Sequence, residues 1–268
     1  MNGTQMLPGK HAVVFGAGGS IGAAVGKQFA AEGAEVFLSG RTKPALEAVA
    51  KQIAASGGRA HVASIDTLDD AAVNEYLDGI AKRTGKIDVI LDAAGPRAKD
   101  YGNGKNAVDL AIEEFMVPLA TTVRSRFVTA RGAARHMIKQ HSGVIIFVTG
   151  SPARGHVPGA TAIGAAFGAI ENLTENLAFE VSPFGVRVVC LRTLANTDSR
   201  SIEDTMDFLG RQLNITRDQA MAQIAQSNFL KVSATVQDTA NAAVLIASDR
   251  ARMLTGTVVN ATAGAALD

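Results

Sequence analysis

Three stretches of this sequence carry residue types that could do chemistry. The first is Gly16-Ala17-Gly18-Gly19-Ser20-Ile21-Gly22. Glycines so spaced let a backbone approach a pyrophosphate, and a helix starting at Ser20 offers free N–H groups to it. The last glycine stands one residue later than in the G-x-G-x-x-G pattern. The second lies about 20 residues on, where dinucleotide sites place a carboxylate for the adenosine ribose. This chain reads Leu38-Ser39-Gly40-Arg41 there, with Lys43 beyond. A guanidinium instead neutralises a 2′-phosphate, so NADP is expected in preference to NAD. Asp66 follows the next apolar run; it either accepts from an adenine amino group or caps the next helix. The third stretch holds Thr149, Ser151, Arg154 and His156 after the apolar run Val144–Val148, a polar set of the kind that positions a small-molecule substrate.

Two further features weigh less. Tyr101-Gly102-Asn103-Gly104-Lys105 spells Tyr-x-x-x-Lys, but two glycines read as an exposed surface loop; the alternative is Tyr101 reaching over a substrate cleft. Five histidines show no ligand spacing and Cys190 is the single cysteine, so no metal site and no disulfide are expected.

The elements that must position these residues alternate. Apolar runs His11–Phe15, Glu35–Leu38, Ala60–Ser64, Ile87–Leu91, Val144–Val148, Val186–Leu191 and Thr257–Asn260 read as strands. Amphipathic stretches Ser20–Glu32, Lys43–Ala55, Leu68–Arg83, Ala162–Val181 and Val236–Ala247 read as helices. Val108–Gln140 reads as two long helices broken near Pro118, and Ser201–Ser227 as an irregular helical insertion. Continuous rather than alternating apolar strands imply a sheet covered on both faces. The expected fold is one doubly wound α/β domain over residues 1–268, a parallel seven-stranded sheet with helices on both faces and a helical insertion at about 196–230. Ligands in such sheets lie beyond the carboxyl ends of the strands.

Composition excludes several classes. Lys and Arg number 26 against 25 Asp and Glu, which leaves no electrostatic footprint for nucleic acid. No stretch has the length of a signal peptide core or a membrane span. A soluble cytoplasmic protein is expected. Arg124, Arg131 and Arg135 suggest one helix face, solvated or at a subunit contact.

At this point the chain resembles the short-chain dehydrogenase/reductase family over nearly its whole length. Gly16 to Gly22 resembles the family's glycine loop, Asp92-Ala93-Ala94-Gly95 its Asn-Asn-Ala-Gly motif, Ala169-Ile170-Glu171-Asn172-Leu173-Thr174 the body of its active-site helix, and Thr255-Gly256 its C-terminal Thr-Gly. The resemblance implies hydride transfer to carbonyls or from alcohols, with Asn, Ser and Tyr-x-x-x-Lys moving the proton. It also implies a cofactor site built from Gly16, Gly18, Gly19, Ser20, Ile21, Gly22, Arg41, Asp66, Ala94, Gly95 and Thr197, a lid over the cleft from the insertion at about 196–230, and assembly as a homodimer or homotetramer. Carried over residue by residue, however, the proton machinery is missing. The Asn position falls on Thr121, the Ser on Gly150, the Tyr on Ile163 and the Lys on Phe167. Three readings follow. One is an NADP(H)-dependent oxidoreductase with another proton donor (Ser151, Tyr101, His156 or water), acting best on an activated C=C bond. Another is a non-catalytic cofactor binder or the inactive subunit of a mixed oligomer. The third is a redox-neutral lyase or isomerase on the same scaffold.

Overall fold

Each apolar run becomes a parallel strand because a helix returns the chain to the same end of the sheet. The computed structural model describes residues 5–200, 202–203, 205–206, 210 and 214–268. The strands are β1 (His11–Phe15), β2 (Glu35–Gly40), β3 (Arg59–Ser64), β4 (Val89–Asp92), β5 (Gly143–Gly150), β6 (Val186–Thr193) and β7 (Thr257–Ala261). They form one seven-stranded sheet in the order β3-β2-β1-β4-β5-β6-β7, with every pairing parallel. The order reverses between β1 and β4, and the loops after these two strands open the crevice where such sheets take ligands.

Helices α1 (Ser20–Ala31), α2 (Lys43–Ala55) and α8 (Val236–Ala247) cover one face, packed on Val14, Leu38, Leu91 and Leu191. Helices α3 (Asp70–Thr84), α5 (Arg124–Gln140) and α6 (Thr161–Val181) cover the other, on Phe15, Phe37, Phe147 and Val188. Central strands buried on both faces explain the unbroken apolar runs. The edge strand β3, Arg-Ala-His-Val-Ala-Ser, is only half-buried along its length and exposed at both ends.

Three expectations change. The stretch before α5 is not a long helix: a 3-10 turn at Ala107–Asp109 precedes the short α4 (Ile112–Pro118). A π-helical turn at Leu119–Val123 then runs into α5, so the chain turns through Pro118 without a break. Proline cannot donate to the preceding turn, and a wide i→i+5 turn absorbs the irregularity. Helix α3 starts at Asp70 rather than Leu68, because Asp69 caps it by accepting from Ala72 N. Arg124, Arg131 and Arg135 do share a face, but they dock α5 on α3: Arg124 donates to Leu68 O, Arg131 to Asp70 at 2.5 Å and Arg135 to Asn74 at 3.3 Å. The expected lid contains α7 (Arg217–Ser227), opened by a Thr216–Gln219 capping box. Residues 201, 204, 207–209 and 211–213 of that expected insertion lie outside the described residues.

Candidate active site and cofactor cleft

The glycine loop meets the loop after β4 at the switch point. Gly16 has φ +77°, and a Cβ there would sit 2.6 Å from Ala94 N; a Cβ on Gly22 would fall onto Gly16 O. Only glycine allows both approaches. Helix α1 begins with no side-chain cap and no acidic residue in its first turn. Its N–H groups and positive dipole end are therefore free for an anion. This suits a pyrophosphate over Gly18, Gly19, Ser20 and Ile21. Gly18 N lies 3.9 Å from the Cβ position of Gly40, which brings the end of β2 and Arg41 to the same rim. Arg41 is exposed, and among the described residues its guanidinium makes no hydrogen bond or ion pair; its carbonyl accepts from Ser64. Asp66 accepts from Leu68 N, forming a local turn rather than the helix cap. Ser20 Oγ accepts from Arg200 N at 3.2 Å, tying the glycine loop to the segment after β6. Thr197 is bonded through both N and Oγ1 to Ala234 O.

Beneath Ala94 and Gly95 lies a feature that sequence reasoning missed. Asp92 is fully buried and accepts from Ala94 N (2.8 Å), Ser125 Oγ (2.7 Å), Thr129 Oγ1 (2.9 Å) and Arg126 Nη1 (2.7 Å). Arg126 also donates to Ala94 O at 2.6 Å. Burial pushes the guanidinium pKa down, and the neighbouring Asp92 opposes this. The pair thus fixes the loop that faces the cleft. The signal was present: a carboxylate ending a buried strand needs partners, and Ser125, Arg126 and Thr129 share one face of α5.

The expected proton-handling positions come out as follows. Thr121 turns its hydroxyl onto Val117 O at 2.6 Å. The hydroxyl facing Gly95 is that of Thr122, which is buried, has no partner for Oγ1 among the described residues, and lies 3.7 Å from the Cβ position of Gly95. Both threonines lie in the π turn, which directs successive side chains to different sides. Gly150 ends β5, and a Cβ there would lie 3.2 Å from Phe167 Cε2. Ile163 is buried, and Phe167, one turn on, packs against the same apolar cluster. One further turn along α6, Glu171 is buried and receives Arg192 Nε (2.7 Å) and Nη2 (2.9 Å). Arg192 also reaches Asp268, and the bond to Glu171 holds its pKa up.

This pair draws in two candidates. Thr149 Oγ1 lies 3.4 Å from Glu171 and 3.2 Å from Cys190 Sγ, and Arg154 Nε lies 3.4 Å from Glu171 Oε2. Burial pushes the Cys190 thiol up to about 12. Ser151 opens a 3-10 turn whose carbonyl accepts from Arg154 and Gly155. His156 is exposed and lines a shallow groove with Pro152, Val157 and Thr161.

Tyr101 corrects the expectation of a surface loop. It is 8% exposed, at the end of a 3-10 turn (Ala98–Tyr101), and packs in the same cluster as Ile163, Ala160 and Ala162. No local pattern announces this, because the loop is pinned by a distant glycine, Gly159, just before α6. Chemically, the crevice offers an anion cradle, a cationic rim and an apolar wall.

Comparison with known proteins agrees with this geometry. A family model described as short chain dehydrogenase matches residues 10–207. The chain is 29% identical to the short-chain reductase protein NovJ of Streptomyces niveus over 94% of this chain and 92% of that one. It is 28% identical to the 3-oxoacyl-[acyl-carrier-protein] reductase FabG of Chlamydia pneumoniae over 93% and 94%. Among solved structures, NAD+-bound xylitol dehydrogenase superposes with a TM-score of 0.87 at 23% identity, over 95% of this chain and 98% of that one. A putative NAD(P)-dependent gluconate 5-dehydrogenase from Beutenbergia cavernae with bound NADP gives 0.85 at 27%, over 98% and 99%.

Proposed function

The chain belongs to the short-chain dehydrogenase family, and on that premise we propose that it is an NADP(H)-dependent reductase of conjugated carbonyl compounds that works without the family's serine, helix tyrosine and lysine. The observation that carries this reading is the wall on α6. Ile163 and Phe167, which the resemblance sets at the positions of phenol and ammonium, share one apolar cluster, and Phe167 Cε2 lies 3.2 Å from the Cβ position of Gly150. Neither side chain can move a proton or hold a ribose hydroxyl. An apolar, ring-bearing wall instead suits a flat, conjugated substrate and keeps water from it.

A bound nicotinamide would supply the hydride. The chain's own residues bind and orient. Gly18, Ser20 and Ile21 offer backbone N–H groups to the pyrophosphate, while Gly19 N, bonded to Gly16 O at 3.0 Å, shapes the turn. Arg41 meets the 2′-phosphate from the end of β2. Ala94 and Gly95, held from below by Arg126, line the nicotinamide side. Loss of a charged hydrogen bond costs roughly 1.5–3 kcal/mol. Arg41→Ala should therefore weaken NADP+ by about 10- to 150-fold and NAD+ hardly at all.

The test is calorimetric titration of NADP+ and NAD+ into wild type and Arg41→Ala, followed by NADPH oxidation with enones, quinones and simple ketones. Turnover of enones or quinones, with ketones near background, is the expected result. Equal loss of both cofactors in Arg41→Ala refutes the role given to Arg41. Tight NADP+ binding with no turnover of any class refutes the reductase and leaves a non-catalytic binder, a reading favoured by the lack of a donor at Gly150, Ile163 and Phe167.

A further inference from the structure

We propose that Tyr101 supplies this site's phenol from the loop after β4, hydrogen-bonding and protonating the carbonyl oxygen of the substrate. The inference deepens the reductase reading and rests on it.

The first support is placement. A tyrosine between a polar turn and two glycines is expected in solvent, yet Tyr101 is buried against Ile163, the residue standing where the family's own phenol would be.

The second support is restraint. Gly104 N donates to Gly159 O at 2.8 Å, and a Cβ on Gly159, whose φ is +71°, would fall onto Gly104 Cα. The two loops therefore touch backbone to backbone, which only glycine permits. Lys105 closes on Glu114 with contacts of 2.7 and 2.8 Å. Asn103 Nδ2 donates to Thr205 Oγ1 at 3.0 Å, binding the loop to the segment that follows β6. These ties hold the loop, and with it Tyr101, in one place, as the positioning of a reacting group requires.

The third support is elimination. The chain has two tyrosines. Tyr76 lies on α3 and packs in the separate core cluster of Phe15 and Leu77, its ring centroid 6.3 Å from that of Phe15. On α6 neither Ile163 nor Phe167 can donate, and Thr149 is turned toward Glu171 and Cys190. The only phenol at the apolar cluster is that of Tyr101.

The step balances as a conjugate reduction. The β-carbon of an α,β-unsaturated ketone gains the hydride from the reduced nicotinamide. The C=C electron pair moves toward the carbonyl, whose oxygen takes the Tyr101 proton. The enol tautomerises in water to the saturated ketone, and the phenolate recovers a proton from solvent.

The experiment compares wild type with Tyr101→Phe, which keeps the ring and removes the hydroxyl. We expect a folded variant, NADPH affinity within twofold, and a single-turnover hydride rate lower by about 100-fold or more. The fall of the wild-type rate at alkaline pH, as the phenol deprotonates, should vanish in the variant. A second arm does not depend on turnover or on that variant. In Tyr76→Phe protein grown with 3-fluorotyrosine, the single fluorine resonance reports position 101 and should shift when a saturated ketone product is added with NADP+. Its alkaline limb should also move to lower pH. A Tyr101→Phe rate within threefold of wild type, or a fluorine resonance that the ketone leaves unmoved, overturns the role of Tyr101 while the reductase stands. A wild type that oxidises no NADPH with any substrate class overturns both.

Discussion

Placing a serine at Gly150, where the resemblance puts the family's serine, sets a new side chain against Phe167. The backbone there is extended, with φ −136° and ψ 170°, so any residue can adopt it and conformation is no obstacle. The obstacle is space. The new Cβ would lie 3.2 Å from Phe167 Cε2 and 3.4 Å from Pro152 Cδ, inside the 3.5–4.0 Å optimum for carbon contacts. Phe167 must then give by a few tenths of an ångström. Overpacking costs typically 1–3 kcal/mol, and a small overlap at the edge of a part-exposed ring puts Gly150→Ser at about 1 kcal/mol. In a Phe167→Leu background the ring edge is gone, so the serine should cost close to nothing, giving a coupling energy of about 1 kcal/mol. Urea unfolding of the wild type, both single variants and the double variant measures this directly. If the two changes add to within about 0.5 kcal/mol, as independent sites do, the contact is not what excludes the serine and the reasoning fails.

Other expectations test the frame around the site. Arg126→Met strands the buried Asp92 carboxylate and should cost about 3–5 kcal/mol, whereas Asp92→Asn with Arg126→Met should recover much of that loss, read by denaturant unfolding; a double variant as weak as the single one defeats this view of the pair. Because burial pushes the Cys190 thiol up to about 12, its thiolate is scarce at pH 8, so a disulfide reagent should label it only after unfolding. Rapid labelling of native protein would contradict that. Glu35 bonds His61 at 2.6 Å, which holds its carboxyl below the ordinary 4.5, with Arg59 helping. A depressed carboxylate pKa adds stability above the unfolded value, and that contribution is lost as pH falls through the folded one. Glu35→Gln should therefore lower Tm at pH 7 but not at pH 3; an equal loss at both would show that charge is not the cause.

The strand, glycine turn and helix around Gly16 to Gly22 were legible in the sequence, because a Cβ on Gly22 would crowd the nearby Gly16 O and the strand before and helix after follow from hydrophobic period alone. The parallel sheet and its covered faces followed from the same alternation. The rest was hidden for identifiable reasons. Which threonine faces Gly95 depends on a π turn, and no propensity marks one extra residue in a helix. The Asp92–Arg126 pair joins a strand to a helix far along the chain. The burial of Tyr101 depends on Gly104 meeting Gly159, and neither glycine's neighbours reveal the other. Arg131 and Arg135, read as a solvated face, needed the position of α3 to be understood.

The departures that the resemblance implies at Gly150, Ile163 and Phe167 look like separate accidents when counted along the chain. In space they are neighbours. Phe167 lies over Gly150, and Ile163 and Phe167 share one cluster with Tyr101. A ring at Phe167 leaves little room for a side chain at Gly150, and an aliphatic wall at Ile163 gives Tyr101 a surface to pack on. One change thus favours the next, since packed neighbours couple by amounts comparable to a single substitution. On the proposed reading, changes that support one another fit a rebuilt wall better than a decaying site. The cycle at Gly150 and Phe167 therefore bears on function as well as on stability: coupling there favours a site remade for a different substrate over one that has merely lost its chemistry.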